Sequence, residues 1–137
     1  MAIKASETTP VKVVLTQADP SGETYLMFRR PTWRDDELRG ELLKDTHMVM
    51  TDNGIAKRVQ VNPYLLRSEE IWILYMDGNL VVEDTQGNRD SLLKPRKDMS
   101  KEQFMNVLRD PRLDTDVLWE IHNKMIAEVA SDWRFPF

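Results

Sequence analysis

Histidines and paired acidic residues are the side chains in this sequence that could take part in metal binding or acid–base catalysis. The two histidines are His47 and His122. On a helix, His122 would have Leu118 and Ile126 one turn away on either side, whereas a helical metal site needs a second ligand on that face. We therefore expect a structural or surface role for His122. The chain has no cysteine, which excludes thiol nucleophiles, disulfides and thiolate metal ligands.

Two acidic groups, at residues 35–37 and at Glu69 and Glu70, could supply a paired acid and base. Both are more typical of favourable charge at a helix start and of a solvated helix face. The sequence also lacks a glycine-rich phosphate loop, a dinucleotide fingerprint and a nucleophile elbow. We therefore predict that the chain is not an enzyme and has no catalytic residues, no cofactor and no metal.

The segment DTQGNRD, residues 84–90, imitates a calcium-binding loop because its polar residues alternate. The imitation fails at two places. Gly87 comes one residue too late relative to Asp84, and the later ligand positions hold Leu92 or Pro95. The sequence predicts a polar turn here.

The charge of the chain limits its partners. Its formal net charge is -4 and its pI is near 5.2. The strongest basic cluster lacks interleaved aromatic residues; it consists of Lys94, Arg96, Lys97 and Lys101. Neither nucleic acid nor an anionic membrane is therefore an expected partner. The first ten residues are polar and no segment approaches the ~20 apolar residues that span a bilayer, so we expect a cytoplasmic protein.

The apolar pattern changes from a period of two early in the chain to a helical period late in the chain. This change predicts an α+β fold, with N-terminal β-hairpins packed against three or four helices and a helical C-terminal half. We expect a single domain over residues 1–137, of which residues 1–9 are flexible. Alternating apolar residues predict a hairpin over 11–30, and Asn53-Gly54 predicts the turn of a second hairpin.

Start signals predict where the helices begin. Capping-box patterns lie at residues 32–35 and 100–103, and a final helix is expected to begin at Asp114 or Thr115. The helix after Thr32 is expected to bury an apolar stripe. That stripe consists of Trp33, Leu38, Leu42 and Leu43.

The segment NPYLLRSEEIWILYMDG, residues 62–78, has two interpretations. Asn62 and Pro63 are typical of a helix start and Gly78 of a helix end, which predicts a helix over 63–77. In the alternative, IWILYM and NLVVE are strands joined at Asp77-Gly78. We favour the helix because it has both signals. Residues 80–98 are then expected to be a short extended segment and a polar loop.

Four segments of the chain resemble those of tail assembly chaperones of long-tailed bacteriophages: FRRPTWRDDELRGELL, EIWILYMDGNL, MSKEQFMNVL and VLWEIHNKMIAEVASDW. The resemblance covers most of the chain from about residue 23. It implies a non-catalytic protein of the host cytoplasm that keeps the tape-measure protein soluble and helps to recruit tail-tube subunits. The alternatives are a small structural subunit of the virion, in the tail or neck, and an enzyme of unknown reaction.

The last predicted helix is apolar over more of its surface than one small core requires. A chaperone for an apolar helical client needs such a surface. We predict that binding of this client, or of a second copy of the chain, uses Trp119, Met125, Ile126, Trp133, Phe135 and Phe137. The alternative is that the aromatic tail, residues 133–137, closes the protein's own core.

Methionine gives a second candidate for an adaptable client surface, because its side chain is flexible and polarisable. The candidates are Met48, Met50, Met76, Met105 and Met125. Methionine is nevertheless more typical of gaps in a core, and we favour that role.

Overall fold

The computed structural model describes residues 2–3, 9–44, 46–50, 53–54, 56–60 and 62–134, and for 46–50 and 56–60 it describes the backbone alone. The strands are β1 (Val11–Val14), β2 (Tyr25–Phe28), β3 (Thr46–Met50), β4 (Ala56–Gln60), β5 (Tyr75–Asn79), β6 (Val81–Glu83) and β7 (Arg89–Ser91). The helices are α1 (Trp33–Leu43), α2 (Pro63–Leu74), α3 (Lys101–Leu108) and α4 (Thr115–Glu128), with short 3-10 turns at Arg96–Asp98 and Ser131–Arg134. The predicted α+β class is confirmed.

The largest sheet has the antiparallel order β1-β2-β5, and β3-β4 and β6-β7 form separate two-stranded ribbons. Both predicted hairpins are present, because β1 pairs with β2 and β3 pairs with β4. Gly54, in the turn of the second hairpin, has a backbone φ of 79°, which residues with a Cβ rarely adopt. The expectation for residues 1–9 falls largely outside the described residues.

A hydrophobic cluster joins this sheet to α2, α3 and α4. Alternation along β2 turns Leu26 and Phe28 inward, where they meet Leu74 of α2, Phe104 of α3 and Ile121 of α4. All five side chains are fully buried. Each such burial contributes about 1.5–3 kcal/mol to stability, so this cluster fixes the positions of the helices that carry the site described below.

The predicted helix starts are confirmed by their caps. Thr32 accepts a hydrogen bond from the backbone N–H of Asp35, and the Asp35 carboxylate accepts one from the Thr32 N–H at 2.8 Å. The same reciprocal pair occurs at residues 100–103. Asn62 caps α2, with Pro63 as its first residue, and Asp114 caps α4.

The predicted apolar stripe of α1 is wrong in part. Trp33 is 81% exposed and Leu38 is 37% exposed, whereas Leu42 packs partly against the core. The buried side chains of α1 are instead Asp35 and Arg39. They are one turn apart on the same helix face, so α1 contacts the protein mainly through charged groups.

The middle segment combines the two interpretations. A helix does begin at Pro63, but it ends at Leu74, where Tyr75 turns to extended backbone and β5 begins. Gly78 therefore does not end a helix, and Asp77-Gly78 is not a hairpin turn. Gly78 lies opposite Leu26, where an added Cβ would be 2.9 Å from a backbone oxygen of β2. The pairing partner, β2, is some 50 residues away in sequence, which a local pattern does not reveal.

The segment after β5 contains a hairpin that the sequence did not predict, since β6 pairs with β7. The predicted polar turn joins these two strands. Its Asp84 carboxylate accepts hydrogen bonds from the backbone N–H groups of Gln86 at 2.8 Å and Asn88 at 2.9 Å. Gly87 has a φ of 84°, which completes the turn.

Candidate functional site

A buried charged cluster lies where α1, α2 and α4 meet. At its centre the carboxylate of Glu70 is fully buried. Its Oε2 is 2.8 Å from Nε of Arg39, and its Oε1 is 3.0 Å from Nη1 of Arg67 and 3.3 Å from Nε2 of His122. The expectation that Glu70 belongs to a solvated face is therefore wrong. Burying a carboxylate is costly unless cations surround it, and here they do.

The cluster keeps Glu70 ionised. Burial raises the pKa of Glu70, but the contacts from His122 and Arg39 lower it by more, so that its pKa lies below the ordinary value. A carboxylate whose oxygens are occupied by cations and whose pKa is low is a poor general base near neutral pH. The arrangement thus suits structure or ligand binding better than proton transfer.

Trp133 covers one side of the cluster and is buried, with 3% of its surface exposed. Its Nε1 donates a hydrogen bond to Asp36 at 2.7 Å, and the Arg39 guanidinium lies 5.3 Å from the ring centroid. Arg39 also donates a hydrogen bond to the Trp133 carbonyl. For Trp133, the structure thus matches the alternative in which the aromatic tail closes the core.

The other predicted partner residues fall into three groups. Met125 is fully buried and Ile126 is 7% exposed, so neither offers its surface to a partner in this fold. Trp119 is half-buried. Phe135 and Phe137 lie outside the described residues.

The methionines considered as a client surface are divided in a similar way. Met105 and Met125 lie in the core, as the favoured interpretation expects, and Met76 is half-buried. The side chains of Met48 and Met50 lie outside the described part, as does that of His47. His122 is buried on α4, and its expected structural role agrees with its position beside Glu70.

Trp119 forms a ring contact with Tyr64 across the seam between α4 and α2. The ring centroids are 5.3 Å apart with an interplanar angle of 43°, and Tyr64 is 49% exposed. We call these two side chains the aromatic ridge. Tyr64 is not among the predicted partner residues, because its only signal in the sequence is that it is an aromatic residue in the first turn of a helix.

Cavities border the aromatic ridge on several sides. Trp119 lines one of about 450 Å³, which adjoins the charged cluster, and another of about 940 Å³ between α4 and the β1-β2 and β6-β7 turns. Tyr64 lines a third of about 310 Å³ between α2, α3 and α4. A half-exposed aromatic pair with concave surface beside it is the arrangement in which a partner's side chains can bury much apolar area.

Two charged residues of α4, Glu120 and Lys124, line the cavity of about 940 Å³. Glu120 accepts hydrogen bonds from the backbone N–H groups of Gln17 at 2.9 Å and Ala18 at 2.8 Å. Lys124 donates one to the carbonyl of Val14 at 2.8 Å. These contacts fasten α4 to the first hairpin, which gives both residues a structural role.

Within the part of the chain that the structure describes, no group of three or more His, Cys, Asp or Glu side chains could hold a metal ion. Among the helices of the described ranges, none combines the length and apolar character that a membrane-spanning helix needs. Comparison of the chain with protein-family models, curated proteins and solved structures finds no match.

Proposed function

We propose that this chain is a non-catalytic, protein-binding chaperone of phage tail assembly, which acts in the host cytoplasm on the tape-measure protein and assists tail-tube assembly. The observation that supports the proposal is the aromatic ridge, Tyr64 and Trp119, with cavities beside both rings. The sequence resemblance supplies the biological setting. The ridge supplies a surface that suits an apolar helical client.

The energetics of the ridge favour a protein partner. Covering an exposed aromatic or aliphatic side chain contributes about 1.5–3 kcal/mol, and aromatic residues beside well-packed pockets are enriched among residues that dominate binding. Tyr64 and Trp119 are already in contact, so the pair loses little side-chain freedom when a partner covers it. A helical client could place one apolar side chain over each ring and others in the adjoining cavities.

The proposal is tested by co-expressing the tagged chain with the tape-measure protein of the same phage and measuring how much is captured. Tyr64→Ala and Trp119→Ala are each expected to weaken capture by about tenfold or more. Trp33→Ala is the matched control, because Trp33 is an exposed aromatic residue that lies outside the aromatic ridge. Equal losses in all three variants, or no capture by the unchanged chain, would contradict the proposal.

Purified particles separate the assembly factor from a virion subunit. A chaperone is expected in the lysate of infected cells and at most in traces in mature particles, as measured by quantitative mass spectrometry. Abundance in mature particles would favour the structural subunit instead. Turnover of a small molecule that depends on His122 or Glu70 would favour an enzyme.

A further inference from the structure

The cavity beside the charged cluster has a positive lining. About 450 Å³ in volume, it lies between α1, α2, α4 and the C-terminal 3-10 turn. Three arginines and a histidine line it: Arg39, Arg67, Arg134 and His122. We call this space the arginine cavity. The carboxylate of Glu70 contacts three of these four side chains from the protein side.

The arginine cavity contains a buried polar atom without a hydrogen-bond partner. The side chain of His122 is 9% exposed, and its Nε2 forms no hydrogen bond within the described part of the chain. This nitrogen is 3.3 Å from Oε1 of Glu70, but the two groups are not aligned for a hydrogen bond. Native proteins rarely leave a buried polar atom without a hydrogen bond, so this nitrogen, which contacts Glu70 by charge and distance alone, points to a ligand that enters the cavity and supplies one.

Arg67 and Arg134 line the cavity as well. Arg67 is 28% exposed and donates one of its five N–H groups to Glu70, at 3.0 Å. Arg134 is exposed, and among the described contacts no ion pair involves it. Because guanidinium groups bind planar anions through paired hydrogen bonds, Arg67 and Arg134 are suited to a carboxylate.

We infer that the arginine cavity binds an acidic side chain, Asp or Glu, of the protein partner, while an apolar neighbour of that side chain packs on Trp119. This inference rests on the proposed function, since it assigns the charge that the client presents beside the aromatic ridge. Trp119 lines the arginine cavity and belongs to the ridge, so one short helical segment can reach both. The carboxylate receives hydrogen bonds from Arg67 and Arg134, and Nε2 of His122 gains a partner.

Nucleic acid is the competing ligand for a site that combines arginines with aromatic rings. The net charge of -4 opposes a polyanion, because binding it would bring many phosphates close to an acidic protein. A single carboxylate, in contrast, carries one charge and interacts mainly with the arginines that line the cavity.

The test uses two fluorescent helical peptides of about 15 residues, with capped ends, Leu residues along one face and either Glu or Gln at the positions beside them. The unchanged chain is expected to bind the Glu peptide about tenfold more tightly than the Gln peptide in fluorescence anisotropy. Arg134→Gln is expected to remove most of this preference. Arg134 is exposed, so this variant retains its fold, which the melting temperature checks.

Arg34→Gln is the matched control, because it removes the same charge from an exposed arginine that pairs with Glu37 outside the cavity. It is expected to retain the preference for the Glu peptide. The NMR signals of the His122 ring are expected to shift with the Glu peptide and not with the Gln peptide. A third peptide with Gln and a free C-terminal carboxylate shows whether a chain end can replace the acidic side chain.

Equal affinity for the Glu and Gln peptides would overturn the inference, as would equal losses in the Arg134 and Arg34 variants. Tighter binding of a single-stranded oligonucleotide than of the Glu peptide would also overturn it. Capture of the tape-measure protein that is unaffected by Arg134→Gln would refute the acidic contact and leave the proposed function intact. A preference for the Glu peptide without capture of the tape-measure protein would support an acidic-peptide site and refute the proposed client.

Discussion

Glu70→Gln tests whether the charged cluster stabilises the fold. The change keeps the volume of the side chain and removes the negative charge that faces Arg39, Arg67 and His122. The Arg39 side chain, 9% exposed, would then lose its ion pair with the Glu70 carboxylate. Breaking a buried ion pair in this way costs about 3–5 kcal/mol. We expect a loss near the lower limit, about 3 kcal/mol, because glutamine still offers an oxygen to the guanidinium.

The assay is urea unfolding at neutral pH, followed by circular dichroism, with thermal unfolding as a second measurement. For a chain of this length, a loss of that size corresponds to a fall in melting temperature of roughly 10 °C. Glu69→Gln is the matched control. Glu69 is the adjacent residue and pairs with Lys101 at 2.7 Å, but the lysine is half exposed, so the expected loss is below about 1 kcal/mol.

A double variant separates charge from packing. Adding Arg39→Met to Glu70→Gln removes both members of the ion pair, so the double variant is expected to be more stable than the sum of the two single losses predicts. If Glu70→Gln costs no more than Glu69→Gln, the cluster does not carry the stability assigned to it. Additive losses in the double variant would show that Arg39 and Glu70 act independently.

Three further predictions concern stability. Trp133→Ala is expected to lose about 3–5 kcal/mol of unfolding free energy, because its ring is buried. Trp33→Ala, at an exposed tryptophan, is expected to lose less than about 0.5 kcal/mol. Equal losses in urea unfolding would place Trp133 outside the core. Gly78→Ala is expected to lose about 1–3 kcal/mol of unfolding free energy, because its Cβ would be 2.9 Å from a backbone oxygen of β2. Gly40→Ala, whose Cβ would have no described atom within 4 Å beyond its own helix backbone, should gain about 0.5–1 kcal/mol. A stabilised Gly78 variant would contradict the close approach. The pKa of Glu70 is lower in the folded chain than its ordinary value of 4.5. The stability that its charge contributes is therefore complete above pH 4.5 and is lost as the pH falls through the folded pKa. In urea unfolding over about pH 3–7, Glu70→Gln should lose less stability at acid pH than the unchanged chain does, and parallel curves would contradict this.

The features predicted correctly from the sequence depend on residues that are neighbours in the chain. The capping boxes at 32–35 and 100–103 use side chains three residues apart, so their patterns are complete in the sequence. The start of α2 and the turn at Gly54 are local in the same sense. Local patterns therefore predicted the class of the fold and most helix starts.

The features that the sequence missed depend on contacts between distant residues. α2 ends at Leu74 because the next residues pair with β2, and a pattern within residues 62–78 does not contain that strand. Arg39 is buried because it meets Glu70, which lies 31 residues further along the chain. One signal was available, since Asp35 and Arg39 lie one helical turn apart and share a face of α1.

The candidate site was predicted only in part for the same reason. The apolar character of the last helix drew attention to Trp119, whose role in partner binding stays a prediction, because an apolar residue can serve a core or a partner and its type does not distinguish them. Trp133 is buried through its contacts with Asp36 and Arg39, which are nearly 100 residues away in the chain. Tyr64 gains its significance only from the ring contact with Trp119.

Stability alone does not account for the presence of the charged cluster. A buried ion pair is often no more stabilising than well-packed apolar residues of similar volume. Replacing Arg39, Glu70 and His122 together by apolar residues could therefore leave the fold as stable as before, even though breaking the pair at one residue is costly. The same replacement would remove the orienting contacts of Arg67 and the polar lining of the arginine cavity. If the cluster serves binding, such a variant should fold and melt normally yet lose its preference for the Glu peptide.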